Sequence, residues 1–265
     1  MITDDDIALA HALADASGAA IRPYFRARFE QELKSDSSPV TQADREAEAA
    51  IRGLLGNHRP DDGIIGEEYG SEHEDAERVW VVDPIDGTRA FIAGRPTFGT
   101  LIALLVGGKP VLGIIDQPIS GERWIGAAGR PTELNGQAVR TRPCNALAGA
   151  SLATTSPHLF DGADEDSFMA VARQVSGGGL RRGLIYGGDC YNYGLLAGGH
   201  LDLVVEAGLQ LYDYAALIPV VEGAGGRMTD WTGKALNQTS DGHVIAVGDA
   251  TLLDSVLPLL HSSRN

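Results

Sequence analysis

The sequence has few cysteines, few basic residues and no long apolar run, and each shortage excludes a class of protein. Its only cysteines, Cys144 and Cys190, are too few for a zinc cluster or a disulfide framework, so a reducing compartment is the simplest expectation. No apolar stretch is long enough to span a bilayer. The first residues, MITDDDIALA, are acidic where a signal peptide would be basic. We therefore expect a cytoplasmic protein that does not enter membranes.

Basic residues are outnumbered, because 21 Lys and Arg stand against 36 Asp and Glu, for a formal net charge of −15. Such a charge repels nucleic-acid phosphates and anionic membranes, so neither is expected as a partner. An anionic small molecule would meet the same repulsion unless a cation were bound locally. The 265 residues, 43% of them apolar, are enough for one large domain or two smaller ones with a substantial core.

The apolar pattern is helical at first and becomes strand-like later. Thr3, followed by three acids, is typical of a helix start, and Pro23 predicts a break in that helix. Thr41 followed by Asp44 resembles a capping box at the start of a second helix. From Trp80 onwards, short apolar runs predict strands, with GGKP as a hairpin turn between two of them.

Beyond residue 145 the predicted strands alternate with predicted helices, one of them formed by YAALIPVVEGA. Such alternation is typical of a sheet with crossover helices. We therefore expect a mixed α/β (α+β) fold in two layered halves. Residues 1–145 would form an α+β domain of helices followed by a largely antiparallel sheet, and residues 146–265 an α/β domain.

Carboxylates stand at three places where a strand or a loop ends. Each place has an ordinary interpretation: solvated loop charges, DPIDG turn chemistry, or a helix cap. Together they suggest a metal site, because clustered carboxylates repel one another unless a cation is present and Mg²⁺ prefers oxygen ligands. A bound cation would also let an acidic protein bind a phosphate. The acids are Glu67 and Glu68 in IIGEEYG, Asp83 and Asp86 in WVVDPIDGT, and Asp213 before an apolar helix.

The DGT that ends the second stretch suggests a role for Gly87 and Thr88. Gly87 would let the backbone approach a ligand closely. If a helix begins near Thr88, the N–H groups of both residues would point at an anion, and the Thr88 hydroxyl would be free to orient or activate a water. A phosphate held between metal ions and a helix N-terminus suits the hydrolysis of a phosphate monoester.

The segments GEE, WVVDPIDGT and YDYAALIPVVEGAGG, at these distances, resemble the motifs of the inositol monophosphatase family of Mg²⁺-dependent, lithium-sensitive phosphatases. The resemblance extends from residue 43 to residue 226. It implies a five-layer αβαβα sandwich of the inositol monophosphatase and sugar phosphatase type. It also implies two or three Mg²⁺ ions, with Mn²⁺ as an alternative, and a homodimer that acts on a small phosphate monoester.

Residue by residue, the resemblance makes the carboxylates metal ligands. It implies that Asp44 and Thr88 handle the attacking water, with Glu67 as a further catalytic residue. Lys34 would belong to a loop that closes over the site, and Glu68 would lie beside the metals. Most of the ligands would come from the first half of the chain. The implied ligands are Glu67, Asp83, Asp86, Asp213 and the carbonyl of Ile85.

The resemblance places the substrate between the two halves. Asp86, Gly87 and Thr88 would bind its phosphate, and the residues toward the leaving group would be Asp189, Asn192 and Glu206. Family members that take inositol phosphates typically have a small apolar residue where this chain has Asp189. Asp189 is equally well placed to cap the helix CYNYGLLAG, and both interpretations remain open at this point.

Two carboxylates near the leaving group suit a cationic substrate, and histidinol phosphate carries an ammonium group and an imidazole. The longer segments DPIDGTRAFIAGRPTFG and GDCYNYGLLAGGHLDLVVEAGL, which include Arg89, resemble the histidinol-phosphate phosphatase branch of the family. The resulting prediction is hydrolysis of L-histidinol phosphate to L-histidinol and phosphate, a step of histidine biosynthesis. The alternatives are an inositol-1-phosphatase or broad sugar-phosphate phosphatase, and a non-catalytic protein that binds metal or phosphate.

Overall fold

A computed structural model describes residues 2–27, 39–175 and 183–261 of the chain. Two β-sheets alternate with three layers of helices, in the order helix, sheet, helix, sheet, helix. This is the mixed α+β, five-layer sandwich that the sequence predicts. Among the described helices, none combines the length and the apolar character needed to cross a membrane.

The outer helical layer on the first sheet consists of α1 (Asp4–Ile21) and α2 (Pro39–His58). Thr3 caps α1 through a reciprocal capping box with Asp6, and the helix ends before Pro23. Both features confirm the prediction, because the Thr3 side chain satisfies an otherwise unpaired N–H group and a proline would interrupt the helical hydrogen bonds.

The second helix starts earlier than the sequence pattern predicts. It already includes Pro39, so Thr41 lies within its first turn and does not precede it. The predicted capping box of Thr41 and Asp44 is therefore wrong. Pro39 is well suited to a first turn, since the N–H group that proline lacks would have no partner inside the helix. Asp44 is thereby available for another role.

The first sheet has eight strands in the order β2-β1-β3-β4-β5-β6-β7-β8. Its neighbouring strands are antiparallel except β1 and β3, which are parallel. Gly107 and Gly108 connect β4 to β5 in the predicted hairpin. The strands are β1 (Gly63–Gly66), β2 (Gly70–Glu72), β3 (Arg78–Asp86), β4 (Gly99–Val106), β5 (Lys109–Gln117), β6 (Glu122–Ala127), β7 (Glu133–Leu134) and β8 (Gln137–Ala138).

Strand β3 is buried on both faces, which explains why its sequence contains the uninterrupted apolar run VWVV. Trp80 and Val82 pack with α1 and α2, whereas Val79 and Val81 face the middle layer of helices. The alternation follows from the two-residue repeat of a strand. The end of β3 is therefore fixed from both sides.

The second sheet has five strands in the order β10-β9-β11-β13-β12. The middle layer of helices lies between the two sheets, the outer layer covers the far face of the second sheet, and α3 (Thr88–Ile92) directly follows β3. The strands are β9 (Leu152–Thr154), β10 (Leu184–Tyr186), β11 (Leu203–Glu206), β12 (Arg227–Thr229) and β13 (Val244–Val247). The middle helices are α5 (Tyr191–Ala197), α6 (Leu211–Tyr214) and α7 (Leu217–Gly223), and the outer ones are α4 (Gly162–Val175) and α8 (Leu253–His261).

The segment YAALIPVVEGA does not form the single helix that its apolar pattern predicts. It is divided between α6 and α7. Pro219 accounts for the break, because it has no N–H group to donate to Ala215 and its ring would clash with that carbonyl. Asp213 therefore lies on a separate short helix.

Two glycines bring the middle layer close to the first sheet. A β-carbon at Gly113 of β5 would overlap the carbonyl oxygen of Ala216, and one at Gly126 of β6 would overlap that of Pro219. The backbone at the start of α7 thus lies directly on the sheet, which holds Asp213 near the end of β3. One apolar cluster includes side chains of both sheets and this layer, so the division at residue 145 stays a prediction.

Candidate active site

Three of the predicted acids converge at the end of β3. One carboxylate oxygen each of Asp83, Asp86 and Asp213 lies within 4.8 Å of the others. Asp83 and Asp86 follow one another around an irregularity in the β3–β4 pairing, and Asp213 reaches them from α6. Residues from both halves of the chain therefore build one acidic site.

Backbone N–H groups hold each of these carboxylates in place. Asp83 Oδ1 accepts from the N–H of Ile85 at 3.0 Å, and Asp86 Oδ2 accepts from the N–H of Cys190 at 2.6 Å. Asp213 Oδ2 accepts from the N–H of Gln210 at 2.6 Å in a capping box. Asp213 thus caps α6 from the third position of that helix and takes part in the acidic cluster, whereas its predicted place as the cap of the apolar helix is wrong, because that helix starts at Leu217 after Ala216.

Glu67 joins the cluster from the turn after β1. Its carboxyl group forms a hydrogen bond with that of Asp83, and burial raises the pKa of Glu67 above its ordinary value. Two ionised carboxylates in such contact would repel each other, and a proton or a bound cation relieves that repulsion. Glu68, next in the chain, is paired instead with Arg45, whose Nε lies 3.4 Å from its Oε2.

The electrostatics of this cluster fit a divalent cation. Burial is the main cause that raises the pKa values of Asp83 and Asp86, and the nearby carboxylates raise them further. Burial likewise raises the pKa of Asp213, to about 6. The neighbouring groups that act on Asp83 are all carboxyls, so in the part of the chain that the structure describes no basic side chain is among the groups that neutralise this carboxylate. Hard, oxygen-binding cations such as Mg²⁺ are suited to such a donor set.

Asp44 lies on α2 beside these acids. It is only 5% exposed, and its Oδ1 has no hydrogen-bond partner within the described part of the chain. Burial, followed by the charges of Glu68 and Glu67, raises its pKa to about 8. An oxygen in this state requires a partner from a ligand or a water.

Thr88 is the first residue of α3, and Gly87 precedes it with a φ of 89°. That left-handed conformation favours glycine. The Thr88 hydroxyl donates to the Ile85 carbonyl at 3.4 Å. Apolar residues of α2 and α3 pack in one cluster, which brings the helices of Asp44 and Thr88 together.

A pocket extends from the acidic cluster into the second half of the chain. Acidic groups line it on both sides, and apolar side chains close it. Its lining consists of Asp86, Thr155, Leu159, Asp189, Cys190, Tyr193, Glu206, Leu209, Asp213 and Leu217. Asp189 and Glu206 thus meet the cluster in one cavity, as the resemblance implies.

Asp189 lies in the left-handed region with a φ of 43°. Its side chain packs against Gly87, where a β-carbon would lie 2.8 Å from its Cγ. Burial raises its pKa to about 6, although Arg89 and Arg95 act in the opposite direction. The N-cap of α5 is Cys190, without a side-chain capping bond. The cap interpretation of Asp189 is therefore wrong, and its carboxylate faces the pocket.

Glu206, at the end of β11, is held through one oxygen only. Its Oε1 accepts from the N–H of Thr155 at 2.8 Å and from the hydroxyl of Thr155 at 2.9 Å. Its Oε2 is buried and has no hydrogen-bond partner among the residues described here. Burial raises the pKa of Glu206 to about 8, and the charges of Asp189 and Asp213 contribute. A cation in the pocket would relieve this repulsion.

Asn192 differs from the other predicted residues. It is 2% exposed and donates to the carbonyl of Gly187 at 3.1 Å, and it is absent from the pocket lining. The structure therefore places it beneath the 187–189 loop, where it supports Asp189 and does not face the leaving group. Lys34 lies outside the described residues.

Sequence reasoning missed the two residues of the pocket that carry hydroxyl groups, Thr155 and Tyr193. Thr155 fixes Glu206, and the buried hydroxyl of Tyr193 lies near that carboxyl without a hydrogen-bond partner in the described structure. The only sequence signal for Thr155 is that it ends GASLATT, a segment whose pattern predicts a strand. Tyr193 follows Cys190 by one helical turn, but that spacing does not distinguish a core tyrosine from a pocket one.

Comparisons with known proteins agree with this geometry. The chain is 50% identical over 262 residues to "Bifunctional phosphatase IMPL2, chloroplastic" of Arabidopsis thaliana, across 96% of this chain and 74% of that protein. It is 37% identical over 230 residues to "Histidinol-phosphatase" of Chlorobaculum parvum, across 86% and 87%. The structure of an inositol monophosphatase from Zymomonas mobilis matches with a TM-score of 0.90 and 55% identity, across 97% and 98%.

The family assignment rests on nearly the whole chain. The model of the inositol monophosphatase family matches residues 3–264. The matched region includes both sheets and every acid of the cluster described above. The chain therefore belongs to the inositol monophosphatase family, and it is a phosphatase of that family.

Proposed function

We propose that this phosphatase hydrolyses L-histidinol phosphate to L-histidinol and phosphate. The observation that carries the proposal is that Asp189 and Glu206 line the same pocket as Asp86 and Asp213. In this proposal the acids near β3 form the end of the site that binds the phosphate. The two acids in the second half form a subsite that binds the cationic part of the leaving group. The family and the completeness of this acidic site favour an enzyme over a protein that only binds metal or phosphate.

The carboxylates at the end of β3 would hold the metal. Glu67, Asp83, Asp86 and Asp213 would be the ligands together with the Ile85 carbonyl, and Mg²⁺ in two or three copies, or Mn²⁺, fits their oxygen donors. Bound there, the ions would neutralise the phosphate charge and activate a water for attack. Gly87 and Thr88 would bind the phosphate through backbone N–H groups.

Asp44 and Thr88 would orient the attacking water between α2 and α3. The water oxygen forms a bond to phosphorus, the ester P–O bond breaks, and the proton released by the water neutralises the departing alkoxide of histidinol. A pKa of about 8 suits Asp44 to exchange a proton near neutral pH. Its unpartnered Oδ1 is the group that would receive the water.

The leaving group would carry its positive charge toward Asp189 and Glu206. The ammonium group of histidinol phosphate is a hydrogen-bond donor, and Glu206 Oε2 lacks a partner in the described structure. A charged pair in a pocket that excludes water is stronger than one at the surface. The histidinol-phosphatase relative, 37% identical, supports the same substrate.

The alternative substrate is inositol 1-phosphate or another sugar phosphate. The relative whose name includes "Bifunctional phosphatase" is compatible with a second activity here. An uncharged leaving group, however, would offer Asp189 and Glu206 no positive charge, and Glu206, with its pKa raised to about 8, would stay protonated and form no charged pair. Histidinol phosphate is therefore the preferred substrate in this proposal.

Phosphate release from a substrate panel tests the proposal. The panel is histidinol phosphate, inositol 1-phosphate, fructose 1,6-bisphosphate and adenosine 3′,5′-bisphosphate, each with Mg²⁺, with Mn²⁺ and after EDTA treatment. We expect the highest kcat/KM with histidinol phosphate, no activity after chelation, and recovery when Mg²⁺ is restored. A preference for inositol 1-phosphate would overturn the substrate, and full turnover by metal-free protein would overturn the mechanism.

The homodimer and the cytoplasmic location expected from the sequence stay predictions. Light scattering coupled to size exclusion tests the first, because a homodimer has twice the 27.9 kDa mass of the chain. Imaging of the tagged protein in its own cells tests the second.

A further inference from the structure

A buried glutamate on α2 holds the turn that carries Glu67. Glu48 is completely buried. Its Oε2 accepts from the N–H of Glu68 at 2.8 Å, and its Oε1 accepts from the N–H of Tyr69 at 3.2 Å. One side chain of the helix thus binds two successive backbone groups of the turn that follows β1.

The close approach of Glu48 depends on a glycine. A β-carbon at Gly66 would overlap Glu48 Oε1. Gly66 has no left-handed φ, so the reason for a glycine here is space and not backbone conformation. The Glu48 carboxylate can therefore approach the turn after β1 this closely only because residue 66 has no side chain.

An arginine on the same helix balances the charge of Glu48. Arg52 Nε lies 2.8 Å from Glu48 Oε1, and its Nη1 lies 2.8 Å from Glu72 Oε1. Arg52 also donates to the carbonyl of Gly70. The pair therefore fastens both ends of the turn to α2, and the buried charge of Glu48 is compensated.

This arrangement connects two parts of the active site. Asp44 lies one helical turn before Glu48 on α2, and the clamped turn carries Glu67, which meets Asp83. Partners behind a metal ligand orient it, and their loss weakens metal affinity. We propose that Glu48 is a positioning residue that sets the place of Glu67 relative to Asp44 and so determines the affinity of the cation site. The proposal rests on the metal site assigned under the proposed function.

The alternative is that Glu48 only contributes to stability. Two substitutions separate the possibilities by different routes. Glu48→Gln removes the negative charge of the side chain and keeps its size. Gly66→Ala changes no polar group, but its added methyl group would push the Glu48 carboxylate away from the turn. Asp6→Asn is the matched control, because Asp6 is a buried acid of the first helical layer that pairs with Arg59 and Arg78 and lies outside the acidic cluster.

The experiment is calorimetric titration of each metal-free protein with MgCl₂, without substrate. We expect wild type and Asp6→Asn to bind with equal affinity, and Glu48→Gln and Gly66→Ala each to bind about tenfold more weakly. The variant that carries both Glu48→Gln and Gly66→Ala should lose no more Mg²⁺ affinity than the weaker-binding single variant, because both changes break the same contact. With saturating Mg²⁺, kcat of Glu48→Gln should recover, since Glu67 itself remains.

Thermal unfolding of the metal-free proteins completes the test. Unchanged Mg²⁺ affinity in both site variants, with only a lowered Tm as in Asp6→Asn, would overturn the proposal for Glu48. If Glu48→Gln does not fold, the Mg²⁺ affinity of Gly66→Ala, compared with that of wild type and Asp6→Asn, decides whether the proposal holds. If wild-type protein binds neither Mg²⁺ nor Mn²⁺, the metal assignment of the proposed function fails and this inference fails with it.

Discussion

The backbone N–H of Cys190 donates a 2.6 Å hydrogen bond to Oδ2 of Asp86. This bond joins the loop that carries Asp189 to the end of β3, so the two halves of the pocket share a fixed point. The proposed phosphate end and the proposed leaving-group end are thus connected through the backbone. Asp86→Asn replaces the acceptor of this hydrogen bond, whereas Thr88→Ala, Asp189→Asn and Glu206→Gln leave both of its partners in place.

Asp86→Asn should bind Mg²⁺ more weakly and yet stabilise the metal-free protein. Burial and neighbouring carboxylates raise the pKa of Asp86, so the folded protein holds its proton more tightly than the unfolded chain does. The stabilising effect of the substitution should therefore grow as pH rises above the ordinary carboxyl range. Thermal unfolding with EDTA and with Mg²⁺, at several pH values, measures both effects. A metal-free variant less stable than wild type would contradict the like-charge argument.

Thr88→Ala should lower kcat while leaving metal affinity nearly unchanged. The hydroxyl lies at the start of α3, within reach of the Ile85 carbonyl, where it is proposed to orient the water. We expect a loss of roughly 100-fold in kcat, which is typical of a positioned proton-transfer partner. Thr88→Ser is the control, because it keeps the hydroxyl and should retain most of the activity. Full kcat in Thr88→Ala would exclude the role.

Asp189→Asn should impair histidinol phosphate selectively. Asparagine tolerates the left-handed conformation of this position, so the loop should keep its shape. A hydrogen bond to a charged group contributes about 1.5–3 kcal/mol, which corresponds to a roughly 10- to 100-fold loss in kcat/KM. Phenyl phosphate, whose leaving group is uncharged, should be hydrolysed at nearly the wild-type rate. Equal losses on both substrates would show that Asp189 only shapes the loop.

Glu206→Gln should become more stable relative to wild type as pH rises. Burial raises the pKa of Glu206 from 4.5 to about 8. The stability that its neutral form provides is complete below pH 4.5 and is lost as pH rises through 8, because the folded state must then bury a charge. Urea unfolding of both metal-free proteins at pH 5, 7 and 9 measures the difference. A difference that does not change with pH would contradict the raised pKa.

The convergence of Asp83 and Asp86 was predictable because the two residues are three apart within one turn. The residues DPIDG determine their own turn, whereas Asp213 joins them from a distant part of the chain and lies in the short helix α6, so only the family resemblance implied its place. The break between α6 and α7 also had a local cause in Pro219, although the apolar pattern concealed it. The capping box of Thr41 was wrong because the same spacing occurs inside a helix.

The contacts that support the site could not be read from the sequence. Thr155 reaches Glu206 from the end of the neighbouring strand β9, and Glu48 reaches from helix α2 to the turn that carries Glu68. Such pairs depend on packing between elements, for which a single sequence has no periodic signal. Asn192 was predicted to face the pocket because it is close to Asp189 in the chain. The structure instead buries it under the 187–189 loop.

The close packing of α7 on the glycines of β5 and β6 has a consequence for biosynthesis. As the chain leaves the ribosome, Asp83 and Asp86 emerge long before Asp213, and the face of the first sheet that α7 will cover is still open. A fragment that stops near residue 145 would carry mutually repelling acids without their third member. Cation capture would therefore distinguish finished molecules from incomplete ones, since a ligand stabilises only the state that binds it.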